Sequence, residues 1–322
     1  MRLLFTALAC LISVSVFGQG WEQTYGFEDT SEGGSLVVQT TDGGFAIAAL
    51  GTSGTYLIKT NNSGIEQWSV SIPYPDGLLA TNDNGVVIPF TQENSEWRLL
   101  KIDENGINEW SQSYSISGWN VFAANTFDGG FILTGKTYYN CNFPGCIGLV
   151  KIDEDGVEQW INTLVIEDLW DPVSIQQTTD GGYIIGGGEP IPSLVKTDIN
   201  GEFQWQNNYG HLYSEINNAP SGEDWGDGYL RFSSVRQTID GGFIFRVFLY
   251  EGDVTLDANT GDIFEWDDTD ALIKTNFLGI EEWRKLFTVE TLFPYINMDL
   301  DPNLVWGREF HNENLISSDG NY

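Results

Sequence analysis

Positive charge is what this chain has least of. Its 322 residues hold 14 lysines and arginines against 46 aspartates and glutamates, a formal net charge of −32. Binding nucleic acid requires a basic surface that neutralises phosphates, so nucleic acid is excluded as a partner. An anionic membrane surface is excluded for the same reason. Histidine is nearly absent too. His211 and His311 are the only two, and both read as surface loop residues. No Gly-x-Ser-x-Gly elbow, Walker loop or His-Glu-x-x-His pair occurs. Cysteine is limited to three positions, one of them in the first ten residues. Too few thiols and imidazoles remain for a zinc site. Helical periodicity is missing throughout. After the first twenty residues no run is apolar enough to span a bilayer.

Those first residues read as an export signal over 1–18. Arg2 supplies the positive start, and "LLFTALACLISVSVF" (3–17) is an apolar run too short for a membrane span. Val16 and Gly18 stand at the −3 and −1 positions for cleavage before Gln19. Lipidation at Cys10 is the weaker alternative. A secreted or cell-surface protein is expected, without membrane insertion after cleavage. In an oxidising compartment, Cys141 and Cys146 of "CNFPGC" are expected to form a disulfide.

Repetition is what the chain has in plenty. "LVKIDEDGVEQW" (149–160) recurs as "LIKTNNSGIEQW" (57–68), "LLKIDENGINEW" (99–110), "LVKTDINGEFQW" (194–205) and "LIKTNFLGIEEW" (272–283). Each copy follows a second phrase built on Asp-Gly-Gly, as in "QTTDGGYII" (177–185). Asp-Gly and Asn-Gly between apolar runs mark hairpins, because the turn positions call for positive φ. Asn84 replaces the first Gly in one copy, and Asn is the residue that best tolerates that conformation. The Lys-to-Trp phrase is a second hairpin, with Gly64, Gly106, Gly156, Gly201 and Gly279 at its turn. Each unit is thus four antiparallel strands, a to d, and tandem four-stranded meanders predict an all-β propeller.

Five complete blades are expected, over about 35–72, 78–115, 120–164, 173–209 and 232–288, within a repeat domain of 19–322. A sixth is incomplete. "GWEQTYG" (20–26) reads as a lone d strand with Trp21, and "NLISSDGNY" (314–322) as a lone a strand and turn. That pattern is expected of a truncated chain. The repeated tryptophans Trp68, Trp110, Trp160, Trp205 and Trp283 are expected to fill the gaps between blades. Lys59, Lys101, Lys151, Lys196 and Lys274 are expected to pair with Asp42, Asp83, Asp128, Asp180 and Asp240, within or between blades.

These tandem "TTDGGYIIGG … LVKTDxNGxxxW" units resemble those of secreted, surface-associated proteins exported by the type IX secretion system, which often end in a C-terminal sorting domain. The resemblance covers about 20–322 and implies a surface location but no defined activity. A weaker likeness is to quinoprotein-type blades, with their Asp-x-x-x-Gly-x-x-x-Trp turn. The present repeats have one residue fewer between Asp and Gly, as from Asp153 to Gly156, so no cofactor or catalytic residue carries over.

In an a-b-c-d meander the a–b and c–d turns leave one face and the b–c and d–a connections the other. The first set is short and recurrent here, the second variable, and variable loops on a rigid scaffold are the usual place for binding. The variable set holds 164–173, 210–232, 288–313, 137–147 and 249–270. Trp170, Tyr213, Trp225, Asp227, Tyr250, Trp266 and Trp306 are its candidate ligand-binding residues. Asp267, Asp268 and Asp270 of "EWDDTD" resemble a hard-cation set, for which calcium is the one candidate cofactor. A glycan is the favoured ligand class and a surface protein the next, on a monomeric chain. A glycoside hydrolase or lyase using loop carboxylates is the alternative, and a structural adhesin segment a third reading.

Overall fold

The computed structural model of the chain describes residues 23–25, 32–52, 54–92, 95–141, 146–166, 171–188, 191–210, 229–250 and 270–287. All regular structure among them is strand. The first sheet is the meander β1 (Glu32–Gln39), β2 (Phe45–Gly51), β3 (Gly54–Thr60) and β4 (Glu66–Ile72). The next strands are β5 (Leu79–Ala80), β6 (Val86–Thr91), β7 (Glu96–Ile102), β8 (Asn108–Asn125), β9 (Phe131–Thr137), β10 (Cys146–Ile152) and β11 (Glu158–Leu164). Two further meanders follow. One is β12 (Pro172–Gln177), β13 (Tyr183–Gly187), β14 (Ser193–Thr197) and β15 (Phe203–Asn208); the other is β16 (Tyr229–Gln237), β17 (Phe243–Tyr250), β18 (Asp270–Thr275) and β19 (Glu281–Phe287). Every pairing is antiparallel between sequence neighbours. The sheets pack face to face as propeller-type blades.

One boundary differs from the sequence expectation. The second and third blades were expected to separate between 115 and 120. Instead β8 runs unbroken from Asn108 to Asn125, serving one blade as its d strand and the next as its a strand. The two blades therefore form one seven-stranded sheet. The corner is possible because Gly118 lies against the backbone. A Cβ there would sit 1.8 Å from the Lys136 carbonyl oxygen.

The core lies in slabs between successive sheets. Ala46, Ala48 and Leu57 meet Val86, Ile88 and Leu100 in one. Ile132, Ile147 and Leu149 meet Tyr183, Ile185 and Val195 in another. The middle strands are covered on both faces, which is why "CIGLVKI" is buried along its whole length. The d strands have one wetter face, so polar residues alternate into "EQWINTL".

Each repeated tryptophan that is followed by a described blade rests on that blade's c–d turn. The Trp68 indole nitrogen donates to the Glu104 carbonyl at 2.8 Å. Cβ atoms at Gly156, Gly201 and Gly279 would come within 3.1, 2.8 and 2.7 Å of the rings of Trp110, Trp160 and Trp205. A tyrosine four residues after the tryptophan reinforces the seam: Tyr114 donates to the Gly156 carbonyl at 3.2 Å and Tyr209 to that of Gly279 at 2.6 Å. Tyr25 donates to the Gly64 carbonyl in the same way. Residues 23–25 thus stand on the first blade as d strands do elsewhere. The rest of 20–26, and all of 314–322, lie outside the described residues.

Every lysine of the repeat is clasped within its own blade. Lys59 meets Asp42 at 2.8 Å, Lys151 meets Asp128 at 2.9 Å, Lys196 meets Asp180 at 2.9 Å and Lys274 meets Asp240 at 2.8 Å; Lys101 pairs with Asp83. The lysines are 1–5% exposed and the aspartates 34–61%. The aspartate also accepts from a threonine hydroxyl and a glycine amide of its own turn, as Asp180 does from Thr178 and Gly182. The two glycines serve different ends. Only the first has positive φ, +85° at Gly181, and Asn84 takes the equivalent place at 65°. The second is needed for space, since a Cβ at Gly182 would lie 2.1 Å from the Thr197 carbonyl oxygen and 2.5 Å from Lys196 Nζ. The expectation of positive φ at both hairpin positions fails for this reason.

The clasp implies an acid limit. Burial alone would raise these carboxyls. The lysine, the hydroxyl and the amide outweigh it and hold Asp42, Asp83 and Asp128 at about 2. Asp240, stabilised first by Lys274, is also held at about 2. The folded values lie below the ordinary value of 3.8. The stability they contribute is therefore complete above that value and lost as pH falls through the folded one. Relief of the −32 net charge acts in the opposite direction nearer neutrality, so the acid side is diagnostic. The thermal midpoint is expected to fall steeply from about pH 4 to about pH 2. A midpoint that holds across that interval would contradict the clasp.

Candidate functional site

The register assigns every loop to a rim. One rim carries the recurrent turns, 40–44 and 61–65 in the first blade, with their Asp and Asn side chains capping the turn amides. The opposite rim carries the variable connections. The tyrosines exposed among the described residues are Tyr74 (65%), Tyr138 (42%) and Tyr139 (37%), and all lie on the variable rim with Trp119 (51%). The recurrent rim shows a different chemistry, aliphatic residues and phenylalanines such as Ile65, Ile107, Phe127 and Ile239.

Three neighbouring connections on the variable rim are hydrogen-bonded into one surface. In the tight turn after β6, the Ser95 amide donates to the Gln92 carbonyl at 2.7 Å. The Ser95 carbonyl accepts from the Gly118 amide at 2.7 Å, joining that turn to the corner of β8. The Thr137 hydroxyl donates to the Ser117 carbonyl at 2.6 Å and accepts from the Tyr139 amide at 3.0 Å, joining the corner to the loop after β9. Trp119 and Tyr138 meet edge to face, 5.5 Å between centroids. Cys141 and Cys146 are disulfide-bonded and close this loop. Behind the corner, the fully buried Trp97 indole fills the space left by Gly135 and Gly148.

Ser95 (φ 58°), Asn120 (φ 54°) and Asn140 (φ 51°) are non-glycine residues in the left-handed region, one at each of the three connections. Asparagine accepts that conformation, and for serine it is uncommon.

On the same rim, with Tyr74 next in sequence to its first lining residue, is a groove of about 460 Å³ lined by Pro73, Phe90, Thr91, Gln92 and Arg98. Arg98 donates to the Gln92 side-chain oxygen at 2.6 Å, stands 3.6 Å from Glu96, and lies 5.9 Å from the Phe90 ring centre. The Thr91 hydroxyl donates to Asp76 at 2.8 Å. Burial raises the Asp76 carboxyl above its ordinary range, against the pull of Thr91 and of the Thr91 and Val121 amides. Further along, Lys136 pairs with Asp171 at 3.3 Å.

Most of the residues singled out from sequence are not among those the structure describes. Trp170, Tyr213, Trp225, Asp227, Trp266, Trp306, Asp267 and Asp268 lie outside the described residues. Tyr250 and Asp270 do not sit in a free loop as expected. They are the last residue of β17 and the first of β18, paired with Tyr229 and Phe248. Among the described residues no group of three or more His, Cys, Asp or Glu could hold a metal ion. No helix among them is long and apolar enough to cross a membrane. The signals that point to Tyr74, Trp119, Tyr138 and Tyr139 are the short strings "PYP", "SGWN" and "TYYN", each at a meander's variable end.

No protein-family model matches the chain, and no curated protein matches it. Solved structures give distant likenesses. A protein of unknown function from Bacteroides caccae is 18% identical, over 55% of this chain and 68% of that one, with a TM-score of 0.37. A DUF4221-family member from Bacteroides vulgatus is 10% identical, over 79% and 81%, with a TM-score of 0.41. An endo-arabinase from Bacteroides thetaiotaomicron is 11% identical, over 66% and 79%, also at 0.41. At these scores the likeness carries nothing about what this chain binds or does.

Proposed function

We propose that the chain is an exported glycan-binding protein that takes an oligosaccharide on its variable rim. The observation that supports this most is the placement of the exposed tyrosines. Among the described residues they gather with Trp119 on the rim where the connections vary, which also carries a groove with hydrogen-bonding walls. Aromatic faces pack against the apolar faces of sugar rings, while Thr91, Gln92 and Arg98 offer donors and acceptors to hydroxyl groups. The export signal expected over 1–18 and a surface location accord with such a role.

Screening against an oligosaccharide array, followed by calorimetric titration, tests the proposal. Trp119→Ala and Tyr138→Ala are each expected to weaken binding about tenfold or more, as removal of an aromatic anchor does. The thermal midpoint should change little, because both rings are well exposed. Wild-type protein that binds no oligosaccharide, or variants that bind as tightly as wild type, would overturn it.

Asp76 favours one second reading, the glycoside hydrolase or lyase. A carboxyl held above its ordinary range is what a general acid requires. Incubation of the bound oligosaccharide with wild type and Asp76→Asn separates the two. Turnover lost in the variant would make the rim catalytic, and an unchanged oligosaccharide would leave it a binding site.

A further inference from the structure

Resting on the rim reading above, we infer that the oligosaccharide is acidic: the ligand carries an oxyanion substituent, and Arg98 is the residue that reads it. In a chain of 46 acidic and 14 basic residues, the described lining of the groove includes one guanidinium, with Glu96 beside it and Asp76 held by the lining Thr91. In a field set by −32 net charge, an anion is repelled from most of the surface, so a site that accepts one must carry a local cation.

Arg98 is suited to that task in ways the clasp lysines and Lys136 are not. The five clasp lysines are buried at the recurrent rim, each held by its turn aspartate. Lys136, on the variable rim, is paired with Asp171. The Arg98 guanidinium is oriented by the Gln92 side-chain oxygen at 2.6 Å and lies over the Phe90 ring, 5.9 Å from its centre. Its one carboxylate partner among the described residues, Glu96, is 3.6 Å away and 42% exposed. An exposed pair of that kind contributes little, so an incoming oxyanion can displace it. Arg98 Nε is buried without a hydrogen-bond partner, which leaves the charge incompletely answered by the protein. The planar guanidinium fork matches a carboxylate or a sulfate ester with two parallel bonds, where a lysine offers a point charge. Neighbouring sugars of the same chain would then lie along the hydrogen-bonded track toward Trp119 and Tyr138.

The test uses the full chain and matched oligosaccharides of one backbone: a neutral form, a form with a uronate carboxylate, and a form with a sulfate ester. Wild type is expected to bind at least one charged form about tenfold or more tighter than the neutral one. The better of the two charged forms identifies the group. Arg98→Gln should abolish that preference, the charged form falling to within about twofold of the neutral one in the same variant, and Arg98→Lys should restore part of it. Equal binding of neutral and charged forms by wild type, or a preference that survives in Arg98→Gln, would overturn this inference and leave the rim reading standing. Failure of all three forms and of the array to bind would overturn both. Thermal midpoints of the variants, expected near wild type for a partly exposed side chain, exclude misfolding as the cause.

Discussion

Gly182→Ala is expected to cost about 3 kcal/mol or more, although alanine is the smallest possible change and the residue is not in the left-handed region. The added methyl would lie 2.1 Å from the Thr197 carbonyl oxygen and 2.5 Å from Lys196 Nζ. Neither neighbour can yield cheaply. The carbonyl accepts from Lys196 at 2.7 Å, and the ammonium also holds Asp180 at 2.9 Å with its side chain 5% exposed. Displacing the lysine leaves a buried charge without its partner, which typically costs about 3–5 kcal/mol. Overpacking adds about 1–3 kcal/mol. The control is the adjacent Gly181→Asn. Its φ of +85° is one that asparagine accepts, as Asn84 does at the same point of the second blade. That change is expected to cost about 1 kcal/mol or less. Urea midpoints of the two variants measure the difference, and equal midpoints would mean that the second glycine has no steric role.

Trp160→Ala is expected to cost about 3–4 kcal/mol, near the range for removing a large aromatic from a core. The indole lies against Gly201, where a Cβ would be 2.8 Å from the ring, and 6.0 Å centroid to centroid from Tyr183 in an edge-to-face pair. It is therefore the seam between the third and fourth blades. The equivalent Trp283 is 41% exposed. Trp283→Ala is accordingly expected to cost about 1 kcal/mol. A large gap between the two substitutions supports a role between blades. A Trp160→Ala variant as stable as wild type would remove it.

The parts of the fold that repeat are the parts the sequence shows. Five copies of Lys and of Asp, each at a fixed place in its own phrase, have opposite charge and fall at one end of each sheet, so their pairing can be argued before any coordinates. The conformation of the second glycine cannot, because a tight turn and a close approach both ask for glycine. Nor can the fusion at β8. Its corner, Ser117–Gly118–Trp119, is a short connection like others, and continuity of the strand depends on Gly118 lying under the Lys136 carbonyl.

The candidate site is harder to read for a related reason. Trp119, Tyr138, Tyr139 and Arg98 each occur once, so no periodicity marks them. In the sequence, loop length was the available signal, and it directs attention to 210–232 and 249–270. The compact connections are where the described structure gathers its exposed tyrosines. Only the strand register shows that "SGWN" and "TYYN" emerge side by side on the same rim, hydrogen-bonded through Thr137 and Ser117.

Hydrogen–deuterium exchange on the full chain, with and without its tightest oligosaccharide, tests the division between the two rims most directly. The account predicts slowed exchange at 73–76, 90–98, 117–119 and 136–141, with the Asp-Gly-Gly turns unchanged. Slowed exchange confined to those turns, around Asp42, Asp128 or Asp240, would place the ligand on the opposite rim and contradict it.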